Sequence, residues 1–271
     1  MNDTQPTAKG ISERNRARLD TIHRTISGPF RARDVANSLS LSTGRTQRFL
    51  AYLAAQGWIN RVRRGLYITV PLGATNPALW REDIWIVASR MFSPFYIGGW
   101  SACEHWGLTE QIFRETLIVT TRRVRHRRMA IQGLPVRVKV VAAPKIFGTT
   151  PVWRGQTKIP VSDPSRTIID ILDDPGIGGG IRHIGDVLET YFSSEHRHDD
   201  QLMQYARLLG NRAVFKRLGY LVEKLDTQAP NILNRCTQEM SSGIALLDPS
   251  APAKGRILRR WNLRINVPVS E

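Results

Sequence analysis

Apolar residues recur at helical spacing early in the chain. Over 13–26, Leu19, Ile22 and Ile26 share one face with His23, while Arg14, Arg16, Arg18 and Arg24 lie off it. That pattern predicts an amphipathic helix with a basic outer side. Gly28 and Pro29 stop the helix and Phe30 follows as an apolar anchor. A short second helix is predicted over 31–39, with Val35, Ala36 and Leu39 facing inward. The polar turn Ser40-Leu41-Ser42-Thr43-Gly44 comes next, where Ser42 or Thr43 can cap a third helix. Its apolar set, Phe49, Leu50, Leu53 and Ala54, runs to a stop at Gly57. From 58 to 70 the pattern becomes alternation around Gly65, as in two short strands joined by a tight turn.

Beyond a predicted linker over 71–77, rich in Pro, Gly and Asn, the pattern predicts a helix over 79–92, an extended segment over 95–98 and a short helix over 100–106 ended by Gly107. Strand-like segments follow at 116–121, 136–141, 145–147, 152–154 and 157–161. Asp163-Pro164 is an N-cap with Pro in the first helical position, and helical periodicity returns there. Helices are expected again at 184–192, 199–209 and 211–225, with a short tail of apolar segments at 244–247 and 258–267. Strands and helices are segregated, so the fold class is α+β. The expected organisation is an N-terminal domain over 1–70 followed by a mixed α+β domain over 78–271.

Helix, helix, short turn, helix and basic hairpin is the order of a winged helix-turn-helix. In such a unit the N-terminal half of the third helix meets base edges in the major groove of double-stranded DNA, and the hairpin lies beside the flanking backbone. The candidate DNA-binding residues are therefore Ser42, Thr43, Arg45, Thr46 and Arg48 on the helix and Arg61, Arg63 and Arg64 on the wing.

Charge supports the assignment through its distribution. The 271 residues carry a net charge of +16. Lys and Arg number 12 against 4 Asp and Glu in residues 1–75, 13 against 5 in 76–160, and 14 against 14 in 161–271. A polyanion is thus met by the front of the chain, and the back is free for another task. The run Arg122-Arg123-Val124-Arg125-His126-Arg127-Arg128 is a secondary basic patch, read either as a surface for DNA backbone or RNA or as a solvated loop. No apolar stretch reaches the roughly 20 residues that cross a bilayer, and the polar N-terminus lacks a secretory signal, so a cytoplasmic location is expected. Cys103 and Cys236 are too few for a disulfide framework or a cysteine-rich zinc site.

Three stretches, in order behind the basic winged helix, resemble the AbiEi family of antitoxins. They are Tyr96-Ile97-Gly98-Gly99-Trp100-Ser101-Ala102-Cys103-Glu104-His105-Trp106-Gly107-Leu108, then Val161-Ser162-Asp163-Pro164-Ser165-Arg166-Thr167-Ile168-Ile169-Asp170, and a segment from Tyr205 through Gly210-Asn211 to Gly219. The resemblance implies a type IV antitoxin that represses its own operon by binding the operator. It also implies antagonism of an AbiEii-type nucleotidyltransferase toxin, direct or indirect, through the C-terminal domain. In that reading Arg212, Lys216 and Arg217 lie off an apolar helical stripe, where they would meet a partner or solvent.

Other chemistry is thinly supported. Cys103, Glu104 and His105 share one short helix with no second ligand cluster, and His196-Arg197-His198-Asp199-Asp200 reads as a polar loop. The 176–180 glycine run lacks the lysine of a phosphate-binding loop. Gln156-Thr157-Lys158 resembles half of a nuclease site, but no Asp lies between Asp83 and Asp163, leaving only Glu104, Glu110 and Glu115 nearby. No cofactor, metal or catalytic activity is expected. The alternative is a winged-helix regulator whose C-terminal domain senses a ligand.

Overall fold

The computed structural model describes residues 10–269 apart from 72 and 75, so Leu72 and Thr75 of the expected linker lie outside the described residues. It divides into two compact units. The first comprises the described residues up to Ser93 with Met129–Pro135 and Trp153–Ile159; the second comprises Pro94–Arg128, Val136–Val152 and the described residues from Pro160 onward.

The first unit begins with α1 (Glu13–Thr25), α2 (Ala32–Leu39) and α3 (Thr43–Ala55), followed by an antiparallel hairpin of β1 (Ile59–Arg63) and β2 (Leu66–Thr69). The apolar stripes of the three helices meet as their spacing requires, and Leu19, Ile22, Phe30, Val35, Phe49, Leu50, Leu53 and Ile59 form one buried cluster. Phe30 does more than anchor. Its backbone exchanges two hydrogen bonds with Tyr67, at 2.8 and 2.9 Å, adding a bridge to the hairpin. Gly65 turns the hairpin at φ +76°. The unit continues into α4 (Ile84–Phe92), capped by Asp83, whose carboxylate accepts from Trp85 N at 2.7 Å. The helix expected from 79 starts later because 77–79 form a 3-10 turn begun by Pro77. That turn is held by Asn60, which donates to the carbonyls of Pro77 and Trp80.

The second unit carries most of a six-stranded sheet in the order β5-β6-β4-β3-β8-β7. The strands are β3 (Phe95–Ile97), β4 (Thr116–Thr120), β5 (Arg128–Ile131), β6 (Leu134–Val140), β7 (Thr149–Arg154) and β8 (Thr157–Ser162), and α5 (Gly99–His105) follows β3. Then come α6 (Pro164–Asp173), α7 (Ile181–Ser193), α8 (Asp199–Leu209), α9 (Ala213–Lys224) and α10 (Pro230–Glu239). A small sheet of β9 (Ala245–Leu246), β10 (Arg256–Leu258) and β11 (Leu263–Ile265) ends the described chain. The α+β class is as the pattern indicated. Three local expectations are corrected. The strand over 145–147 is absent, since Pro144 starts a 3-10 turn at Ala143–Lys145. β5 is an additional strand, joined to β6 by Gln132 and Gly133, both at positive φ. α10 is an additional helix, with Pro230 in its first turn.

Two buried arginines organise this unit. Arg166 of α6 is 1% exposed; it pairs with Asp170 at 2.9 Å, donates to Tyr96 Oη and to the Lys145 carbonyl, and lies 3.9 Å over the Phe147 ring. Asp163 accepts from Arg166 N at 2.8 Å and from Tyr205 Oη at 2.8 Å. Residues of the three stretches 96–108, 161–170 and 205–219 are therefore linked through Arg166 and its neighbour Asp163. Arg217 of α9, 3% exposed, donates to the carbonyls of Leu172, Asp173, Leu246 and Leu247. Lys216, 2% exposed, donates to the Gly243 carbonyl. Lys216 and Arg217 thus hold the tail against α9, and neither is presented to a partner. Only Arg212 stays exposed, bonded to Glu239.

α9 packs so closely on the tail that a methyl group at Gly219 would overlap the Trp261 ring, whereas one at Gly185 of α7 would meet only ordinary contacts at 3.8 and 3.9 Å. Gly219→Ala should lower stability by about 1–3 kcal/mol through overpacking. Gly185→Ala should raise it by about 0.5–1 kcal/mol through helix propensity. Urea unfolding of the two variants beside the parent checks this; a Gly219→Ala variant as stable as the parent or more so would show that packing at Trp261 is looser than described.

Candidate nucleic-acid interface

The third helix and the wing present the candidate residues from rigid elements. Ser42 precedes α3 in extended geometry (φ −65°, ψ 153°) and its hydroxyl makes no capping bond, so it stays available beside the exposed Thr43. Arg45 and Arg48 are exposed, one turn apart, and among the described residues neither has an ion-pair or hydrogen-bond partner. Thr46 is a correction. It is fully buried and its hydroxyl donates to the Ser42 carbonyl at 3.0 Å. Positions 46, 49, 50 and 53 form one helical stripe, so Thr46 belongs to the core with Phe49, Leu50 and Leu53 and cannot reach a base.

On the wing Arg61, Arg63 and Arg64 are all exposed. A register irregularity between Arg61 and Arg63 bends β1 just before the turn, and the Arg61 Nε donates to the Arg63 carbonyl at 3.4 Å. Bulge and glycine turn together project the arginines from a short, well-packed hairpin whose inner residues Ile59, Leu66 and Ile68 are buried.

The secondary basic run lies in the second unit. Arg122, Arg123, Arg125 and Arg127 are exposed on the segment between β4 and β5, and Arg128 begins β5, 3.4 Å from Glu115. The segment is tied at both ends: Arg122 N donates to Thr120 Oγ1 at 3.0 Å, and the Arg127 carbonyl accepts from Val138 N at 2.7 Å.

The remaining candidates resolve into structural roles. Cys103 and Cys236 are buried, and burial pushes each thiol up to about 12. His198 Nδ1 accepts from Gln201 N at 3.2 Å, capping α8, while Arg197 pairs with Asp199 and Asp200 with Arg235. In the glycine run the Gly176 and Gly178 carbonyls bond Arg137 and His183. Gln156 Oε1 accepts from Ser27, and Lys158 lies 4.9 Å over the Trp153 ring. No group of three His, Cys, Asp or Glu side chains among the described residues is arranged to hold a metal ion. No helix among them is long and apolar enough to cross a membrane.

Three helices closed by a two-stranded wing, with an exposed polar and basic face on the third helix, define a winged helix-turn-helix. Residues 17–70 match the family described as "Transcriptional regulator, AbiEi antitoxin", in agreement with the resemblance read from the sequence. A crystal structure of the RV2827C protein from Mycobacterium tuberculosis has a similar fold, at TM-score 0.66 and 15% identity over 95% of this chain and 93% of that one. No curated protein matches the sequence.

Thr46→Val removes the hydroxyl but keeps the shape. It should cost on the order of 1 kcal/mol of stability and leave DNA affinity and sequence discrimination as in the parent. Loss of discrimination in a variant with parental circular dichroism would return Thr46 to the interface.

Proposed function

We propose that the chain is a DNA-binding antitoxin that represses its own operon through the winged helix and antagonises an AbiEii-type nucleotidyltransferase toxin through its second unit. The observation that carries the reading is the exposed face of α3, with Ser42, Thr43, Arg45 and Arg48, beside the arginines of the wing, in the segment that matches the AbiEi regulators. The chain acts by binding and not by catalysis. Its first partner is the duplex operator, where guanidinium forks read guanine edges and neutralise phosphates. The basic run 122–128 supplies a second surface for a polyanion, DNA backbone or RNA. Antagonism of the toxin is assigned to the second unit because its sequence from 161 onward is charge-balanced.

If α3 reads bases and the wing holds backbone, Arg45→Ala should lower the preference for the operator over shuffled DNA by roughly ten-fold or more, and Arg64→Ala should weaken both duplexes alike. Equal losses of preference would contradict this docking. In cells carrying the cognate toxin, the full chain with Arg45→Ala and Arg48→Ala should lose repression of an operon reporter yet still protect growth. If it folds and fails to protect, DNA binding and antagonism are one task and the division between the units is wrong.

A further inference from the structure

α1 and α3 together enclose a concave surface of about 460 Å3 whose lining includes Arg14 and Arg18 from α1, Arg45 and Arg48 from α3, and the polar side chains of Asn15 and Tyr52. No carboxylate lines it. Arg14 and Arg18 stand one turn apart on α1, facing the i, i+3 pair of α3. The Arg18 guanidinium lies 5.6 Å over the Phe49 ring, which fixes it against the recognition helix. Arg24, further along α1, is different: it is paired with Asp20 at 2.9 Å.

Four permanent cations around one hollow with no counter-charge repel one another, and that repulsion is relieved by an anion with several acceptor oxygens. In a helix-turn-helix the helix before the recognition helix, here α2, crosses the sugar-phosphate backbone, and the shared hollow places the arginines of α1 beside α3, within reach of the same backbone. We propose that Arg14 and Arg18 complete, with Arg45 and Arg48, a cradle for a backbone phosphate of the DNA that α3 reads, so that α1 is part of the binding surface. The proposal rests on the DNA-binding reading above. It divides the labour within α3 as well: Arg45 and Arg48 line both the groove face and the cradle, while Arg14 and Arg18 hold phosphate alone.

The test uses the full chain, a fluorescent duplex covering the region upstream of its own coding sequence and a shuffled duplex of the same composition, titrated over a range of salt. Arg14→Gln with Arg18→Gln should weaken both duplexes by the same factor, on the order of ten-fold near physiological salt, with the preference between them unchanged. The slope of log affinity against log salt should become shallower by about 1. The lysine pair, Arg14→Lys with Arg18→Lys, keeps the charge and should restore most of the slope. Because Arg18 packs on Phe49, thermal melts accompany each variant, and Arg14→Gln alone, at an exposed position, serves if the double variant is unfolded. If the glutamine variants bind and titrate like the parent while Arg45→Ala loses binding, the cradle is wrong and the DNA-binding reading stands. If the parent binds neither duplex, the reading beneath the cradle fails with it. A change in preference between the duplexes would also overturn the proposal, since a phosphate contact carries no sequence information.

Discussion

A guanidinium group is permanently charged and carries a fixed fork of N–H donors, so every arginine in this chain must find acceptors, counter-charge or water. With 39 Lys and Arg against 23 Asp and Glu, counter-charge is too scarce for all of them. Two contrasting solutions are used. In the interior of the second unit, Arg166 is held through Nε and Nη2 by Asp170, Tyr96 and a carbonyl, with its buried Nη1 left without a partner among the described residues, and Arg217 is held by four carbonyls. In the first, Arg14, Arg45, Arg48, Arg61 and Arg64 are left exposed, and no salt bridge is formed by any of them among the described residues.

The buried arrangement explains why three separated stretches belong together. Arg166 is desolvated, and removing Asp170 would leave a buried cation uncompensated, a far larger loss than that of a surface pair such as Arg212 with Glu239. Tyr96 is affected in turn: burial and the neighbouring Asp170 hold its hydroxyl well above the usual tyrosine range, so it stays protonated and donates to that carboxylate at 2.9 Å. These groups make a scaffold. The exposed arginines pose the opposite problem, since their mutual repulsion costs the free fold some stability, and a duplex phosphate backbone relieves it on binding.

Much of the first unit was legible because its elements are local. Leu19 and Ile22, Val35 and Leu39, and Phe49, Leu50 and Leu53 mark three helix faces, and Gly65 marks the hairpin turn. Thr46 shows a limit of reading by residue type: its spacing places it on the core stripe, but its hydroxyl suggested the polar face. Lys216 and Arg217 show a second limit. Their burial follows from the return of 243–247 against α9, a long-range contact that no periodicity within the helix encodes. The cradle was half visible, since Arg14 and Arg18 lie four residues apart on the basic side of α1. What the one-dimensional pattern lacked was the proximity of that side to Arg45 and Arg48.

The central claim is that the winged helix is the DNA-reading surface, and hydrogen–deuterium exchange of the full chain with and without its upstream duplex tests it most directly. The account predicts slowed amide exchange at the turn before α3, around 40–44, and at the wing turn, around 63–66, because side chains at both places become occluded against the duplex. Protection confined to the second unit, or none at either turn under conditions where the duplex is bound, would contradict it.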